Sequence, residues 1–326
     1  ITDIVLGFVA FSIGAELRFT VFKRLGLGIV AIILGESFAA FLVVFGVAWL
    51  LTRNLPLALI FGAVAPASAP AGTVAVIQET GAKGNLTKAL YAVVGFDDGL
   101  AIVIFGFAAA LAKVVLIQRA TGEAAGFLTA IGRPCLEIVG SLVLGAAIGF
   151  IFAFLVRKMK THSGTFVLLV GVVFITTGLA TRWHLSLILA NMAIGMVLAN
   201  TRRRELAQRV TEPLREFMPL LFIFFFTLAG AHLQIGKLPQ LGFLGIAYIL
   251  ARSGAKIGGA WLGAHLGKVE PKIKKFLGLG ILSQAGVAIG LSLIVLADFR
   301  ALSEKYHDAF AKLAEADPLN DPAALA

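Results

Sequence analysis

Hydrophobic residues fall along this chain in long runs separated by short charged segments. Ten runs stand out, at roughly 1–17, 26–51, 55–78, 86–117, 132–156, 164–181, 184–200, 213–235, 239–263 and 272–297. Most are close to the ~20 residues that an α-helix needs to cross a hydrocarbon core. The alternation of a membrane β-strand is absent, so the pattern predicts helices. The charged segments keep the same rhythm. Those after odd-numbered runs carry 17 Lys and Arg residues, and those after even-numbered runs carry 7. An excess of basic residues marks the cytoplasmic side, which puts Ile1 and the stretch from Arg300 on the opposite side.

Composition agrees with this reading. The chain is 59% hydrophobic and 14% charged with a mean hydropathy of +0.95, whereas soluble domains are about 25% charged. An all-α polytopic membrane protein in a lipid bilayer is expected, and water-soluble classes are excluded. The net charge of +10 reads as cytoplasmic loop charge and not as a nucleic-acid surface. A lone Cys135 excludes an internal disulfide framework and a Cys-based metal site. The five histidines have no metal-ligand spacing. The chain opens on Ile1 inside a hydrophobic run, without a signal peptide, and so reads as the interior of a longer product.

Three runs depart from plain apolar helices. The third contains Ala65-Pro66-Ala67-Ser68-Ala69-Pro70-Ala71-Gly72-Thr73. Each proline removes a backbone donor and clashes with the preceding turn, so this helix is expected to unwind at mid-membrane, a simple kink being the alternative. Unwound backbone at that depth survives only when buried in protein or lining a cavity. The fourth run follows at once and carries Gly95-Phe96-Asp97-Asp98-Gly99-Leu100 near its centre. A charged side chain there costs about 2.5–3.5 kcal/mol on insertion scales, so a pair of adjacent carboxylates points to a titratable, ion-binding role. The tenth run is glycine-rich from Gly278 to Gly290, with Ser283 and Gln284 at the middle of that stretch.

Two interrupted helices in corresponding positions are the sequence sign of an inverted-repeat transporter. One repeat comprises runs two, three and four. The other comprises runs nine and ten and one further span, which is expected but absent from this sequence.

Run nine supplies the cations. Arg252 and Lys256 lie four residues apart, on one helix face. Buried cations need carboxylate partners, and the intramembrane acids are Asp97, Asp98, Glu36 and Glu137. The expected pairs are Lys256 with Asp97, and Arg252 with Glu36 or Glu137. The alternative is that both cations snorkel to an interface. Glu16 reads as a helix-end charge. The remaining glycines and alanines read as residues that permit close helix packing.

Four motifs occur in order: Phe11-Ser12-Ile13-Gly14-Ala15-Glu16-Leu17, the Ala-Pro-Ala-Ser-Ala-Pro break, the Gly-Phe-Asp-Asp-Gly-Leu stretch, and Leu282-Ser283-Gln284-Ala285-Gly286-Val287-Ala288. Together they resemble the Kef- and Nap-type branch of the monovalent cation–proton antiporters, from Ile1 to about His307. The resemblance implies an inverted-repeat antiporter fold of about ten helices, two of them broken and crossing. The first two helices and the last one usual in that branch are not seen. It divides residues 1–297 into a core, about 26–117 and 239–297, and a scaffold that forms a homodimer, about 1–17 and 132–235. Residues 298–326 are expected to be a polar tail.

The resemblance also assigns roles. Asp98 would carry the cation or proton, and Asp97 would partner Lys256. Ser68 and Thr73 would line the first crossover, and Ser283 and Gln284 the second. The implied activity is exchange of Na⁺, Li⁺ or K⁺ for H⁺ by alternating access, electrogenic, with no cofactor, in the inner membrane of a bacterium. Two other classes stay open: a sodium-coupled organic-anion symporter with similar broken helices, and a non-transporting sensor or subunit. An intramembrane aspartyl protease is disfavoured, because adjacent residues on a helix point about 100° apart and cannot face each other across a water.

Overall fold

The computed structural model describes residues 2–17, 19–121, 127–159, 161–201, 204–232, 236 and 238–305. These residues are almost wholly helical. In chain order they form α1 (Thr2–Glu16), α2 (Phe19–Thr52), α3 (Leu55–Val64), α4 (Pro70–Glu79), α5 (Asn85–Thr121), α6 (Phe127–Val156), α7 (His162–Arg182), α8 (Leu187–Asn200), α9 (Arg204–His232), α10 (Leu238–Leu266), α11 (Pro271–Phe276) and α12 (Gly286–Lys305). A 3-10 segment, Leu277–Ile281, follows α11. Among the described residues, five helical stretches are long and apolar enough to cross a membrane: Gly26–Thr52, Asn85–Arg119, Cys135–Val156, Ser163–Arg182 and Gly286–Glu304. Shorter apolar helices accompany them.

Some boundaries differ from those the hydropathy pattern predicts. α9 begins at Arg204, well before the expected start at 213, and holds Pro213 and Pro219 inside it. Its first turns are charged, so they escape a reading based on apolar runs. α12 continues to Lys305, past the expected end at 297. Its polar extension includes Asp298, whose carboxylate pairs with Lys113 of α5 at 2.6 Å. The rest of the expected tail, from 306 on, lies outside the described residues.

The chain packs as two compact units, Ile1–Gly26 with Leu136–Leu233, and Leu27–Cys135 with Gln234–Ala326. The first division falls at Gly26, where φ is 73° and the helical path of α2 is interrupted.

In the first unit α8 is well enclosed, with Ile188 to Gly195 and Leu198 buried. It meets α1 through reciprocal glycines. A Cβ on Gly14 would overlap the Met192 carbonyl, and one on Gly195 would overlap the Phe11 carbonyl. Between apolar helices in lipid the attraction comes from such close backbone packing, not from removal of water. Among the described residues, the buried polar groups here are neutral. Asn191 donates from Nδ2 to Thr177 Oγ1 at 3.1 Å and to the Leu187 carbonyl at 2.8 Å.

In the second unit two long helices each precede an interrupted one. α2 and α10 meet along a seam of Gly28 and Gly35 against Gly259, Gly263 and Gly267. A Cβ on Gly35 would stand 2.7 Å from the Gly259 carbonyl oxygen. The first interruption, residues 65–69, separates α3 from α4. Pro66 cannot donate within a helix, and Pro70 disfavours helical geometry at Ala69 while fitting the first position of α4. The second interruption, residues 282–285, separates the 3-10 segment from α12. The two breaks touch: the Ala69 amide donates to the Ser283 carbonyl at 2.9 Å.

Candidate functional site

The crossing of the breaks is held by side chains that answer the backbone groups freed there. A helix end leaves carbonyls without partners, and in an apolar interior each must be satisfied. Arg252 of α10 satisfies three. Its Nε donates to the Ala65 carbonyl at 3.0 Å, Nη2 to Ala67 at 2.8 Å, and Nη1 to Leu282 at 2.7 Å. Those carbonyls belong to both interruptions, so one guanidinium ties them together. This corrects the expected pairing of Arg252 with Glu36 or Glu137. The rigid fork of donors fits several carbonyls at once, and a cation is favoured at C-terminal helix ends. Glu137 sits in the first unit, where its own carbonyl accepts from Ser141 Oγ at 2.5 Å.

Three further predicted residues line the crossing. Gln284 donates from Nε2 to the Val64 carbonyl at 3.0 Å and to Tyr248 Oη at 3.1 Å. Thr73 Oγ1 donates to the Gly280 carbonyl at 2.8 Å. Ser283 Oγ donates to the Ala69 carbonyl at 3.3 Å. Each bridges one interrupted helix to the other or to a straight helix beside it. The space between is kept narrow by Ala67, Ala101 and Ala288, which pack together.

The carboxylates stand beside this crossing. Asp97 and Asp98 are both buried on α5. The Ser68 amide, in the first break, donates to Asp98 Oδ1 at 3.3 Å. The Ser68 hydroxyl donates to Asp97 Oδ2. Ser68 therefore connects the unwound backbone to both aspartates. Asp97 Oδ1 is buried without a hydrogen-bond partner.

Lys256 completes the cluster as expected for Asp97, with Nζ 3.2 Å from Asp97 Oδ2. Its shorter ion pair is with Glu36 Oε2, at 2.8 Å. Both side chains of that pair are fully buried, and Glu36 Oε1 accepts from Ser37 Oγ at 2.7 Å. Glu36 belongs with Lys256, one helical turn from the arginine to which the sequence reading assigned it. The glycine seam explains the pairing, because a Cβ on Gly259 would come within 2.8 Å of the Glu36 Cα.

One contributor was not foreseen. Tyr248 packs edge-on against Phe61 with ring centroids 5.7 Å apart and meets Gln284. Its signal is its place one turn before Arg252. The seam glycines permit close helix packing, as expected, and their spacing of four residues marks the contact. The side chain of Glu16 lies outside the described residues.

The profile of a family described as "Sodium/hydrogen exchanger, transmembrane" matches residues 1–311. The high-affinity Na⁺/H⁺ antiporter NhaS3 of Synechocystis sp. is 29% identical over 133 residues, covering 39% of this chain and 27% of that protein. The Na⁺/H⁺ antiporter NhaP of Pseudomonas aeruginosa is 23% identical over 223 residues, covering 66% of this chain and 48% of that protein. The chain thus spans less than half the length of either of these curated relatives. Among solved structures, the sodium proton antiporter MjNhaP1 from Methanocaldococcus jannaschii superposes with a TM-score of 0.70 at 19% identity, covering 99% of this chain and 78% of that one. The shared fold, the family match over nearly the whole chain and the apolar helices lead to one conclusion: this is a multi-pass membrane protein belonging to the sodium/hydrogen exchanger family, which is a family of transporters and not of enzymes.

Proposed function

We propose that the protein exchanges Na⁺ for H⁺ across the membrane by alternating access. The observation that carries this reading is the pair of buried carboxylates, Asp97 and Asp98, beside the crossing of two interrupted helices. Asp98 binds the cation or the proton in turn. Asp97 is held by Ser68 and Lys256 and titrates together with its neighbour, not alone. A dehydrated Na⁺ needs oxygen ligands, and the Asp98 carboxylate, the Ser68 hydroxyl and carbonyls freed by the breaks supply candidates. Exchange follows because proton and cation compete for the same oxygens. The ions are cargo, and no cofactor takes part.

The second unit is the moving core, and the first is a scaffold through which a homodimer forms. The family resemblance supports that division, as does the finding that, among the described residues, the buried charges lie in the second unit. The NhaS3 and NhaP relatives come from bacteria, which supports the bacterial inner membrane as the location. Both relatives are named Na⁺/H⁺ antiporters, so the Kef- and Nap-type branch, electrogenic exchange and K⁺ or Li⁺ as cargo rest on the adjacent aspartates and the motifs around them.

The test is dissipation of a pH gradient in proteoliposomes on addition of Na⁺, Li⁺ and K⁺ in turn, with and without an imposed membrane potential. Dissipation by Na⁺ that is lost in Asp98→Asn is expected. No response to any cation would sink the reading and return the symporter and sensor classes. A rate that ignores the membrane potential would remove the electrogenic branch assignment alone.

A further inference from the structure

The pairing of Lys256 with two carboxylates carries an inference that rests on the exchange reading and deepens it. Lys256 is fully buried, and so are both of its partners. The partners differ in what else holds them. Glu36 sits on α2, is bonded by Ser37, and is pinned against α10 by the glycine seam. Asp97 sits next to Asp98, takes the Ser68 hydroxyl from the unwound segment, and keeps one oxygen without a partner. One carboxylate is a fixed anchor, and the other adjoins the place where cargo exchanges.

The charges of this cluster give the anchor a purpose. Among the described residues its buried ionic side chains are Glu36, Asp97, Asp98, Arg252 and Lys256. Three carboxylates against two cations leave one negative charge. The helix ends at the crossing, two C-terminal and two N-terminal, oppose each other and add little. A single Na⁺ or H⁺ brings the cluster to neutrality, and a buried cluster that is charged is costly. Without Glu36 the cluster would be neutral before any cargo arrived, and Lys256 would hold Asp97 alone.

We infer that Glu36 is a charge-balancing positioning residue: by holding Lys256 it reserves one negative charge at the aspartates for the cargo cation, and so sets the affinity for that cation. The inference concerns affinity and not the chemistry of exchange. Its signature is therefore a change in KM that outweighs any change in kcat, and a rescue that depends on charge.

The experiment compares wild type, Glu36→Asp, Glu36→Gln and the double variant Glu36→Gln with Lys256→Gln, reconstituted in proteoliposomes. KM and kcat for Na⁺ are measured, and Na⁺-dependent thermal stabilisation in detergent gives binding without turnover. Glu36→Gln is expected to raise KM by about tenfold or more, equivalent to about 1.4 kcal/mol, with kcat moving less. Glu36→Asp keeps the charge and should fall between. The double variant removes one charge of each sign, restores the single negative excess, and should regain Na⁺ affinity relative to Glu36→Gln.

An unchanged KM in Glu36→Gln, or a double variant that binds Na⁺ no better than Glu36→Gln, overturns the inference. If Glu36→Gln does not fold, the double variant decides: wild-type Na⁺ stabilisation supports the inference and its loss overturns it. Wild-type protein that neither exchanges nor binds Na⁺ fails in its own arm and overturns the exchange reading, and this inference with it.

Discussion

The two units of the molecule solve the same problem, packing helices in lipid, by different means. In the first, the buried polar side chains among the described residues are Ser141, Thr165, Thr176, Thr177 and Asn191, all neutral. Most return their hydrogen bonds to a carbonyl one turn earlier on their own helix, as Thr176 does to Val172 at 2.8 Å. In the second, the buried set includes five ionic side chains, and their bonds run between segments far apart in sequence. A neutral group that bonds locally costs little and commits the fold to nothing distant. A buried ion is stable only when a specific partner is brought to it. The first unit is held by shape and by a few neutral bonds between helices, such as the Ser186 amide to Ser141 Oγ at 2.9 Å. The second is held by shape and by a fixed pattern of charge, which is what a binding site for ions requires.

The largest effect should come from Arg252. Arg252→Met leaves three carbonyls without this donor, those of buried Ala65 and Ala67 and of half-buried Leu282, each buried one costing about 1–3 kcal/mol. We expect this variant to yield no monodisperse folded protein in size-exclusion chromatography. Arg252→Lys keeps the charge but lacks the planar fork, and should melt between that variant and wild type. Wild-type melting of Arg252→Met would mean that the crossing does not depend on this residue.

A smaller effect separates the two glycine contacts. Gly195→Ala in the first unit and Gly259→Ala in the second both force a Cβ into facing backbone, at a cost of about 1–3 kcal/mol. Both should lower the melting temperature. Gly259→Ala alone should also weaken Na⁺ binding, because it moves α10 away from Glu36. Equal Na⁺ affinity in the two variants would erase the contrast drawn between the units.

The smallest effect is expected at Asn191. Its Oδ1 is buried without a partner, and Thr177 is its side-chain neighbour. Replacing a partly satisfied amide by an apolar group of similar size can be close to neutral or stabilising. Asn191→Leu should shift the melting temperature little in either direction. A collapse of stability would show that the first unit also relies on a specific polar contact.

Much of this architecture could be read before any coordinates. Hydropathy located the runs, because a lipid core demands about 20 apolar residues of each spanning helix. Pro66 and Pro70 located the first break, because proline removes a donor whatever surrounds it. The second break has no proline, and its glycines and Ser283-Gln284 gave a weaker but sufficient sign. The charged start of α9 escaped detection, since a pattern of apolar residues is blind to helices that begin in polar sequence.

The cluster was only half legible. Asp97, Asp98, Arg252, Lys256 and Glu36 all announced themselves, because a charge inside an apolar run is expensive and therefore conspicuous. Sequence thus determined which side chains must be paired. It did not determine who pairs with whom. Arg252 and Lys256 share a helix face one turn apart, and nothing in that spacing says that the arginine meets carbonyls while the lysine meets Glu36. That choice was made by the crossing of two breaks, which presents three carbonyls to one height of α10, and by the Gly35–Gly259 contact, which presents Glu36 to the next. Partner choice depends on distances of a few ångströms between segments more than a hundred residues apart, and only the packed helices set those distances.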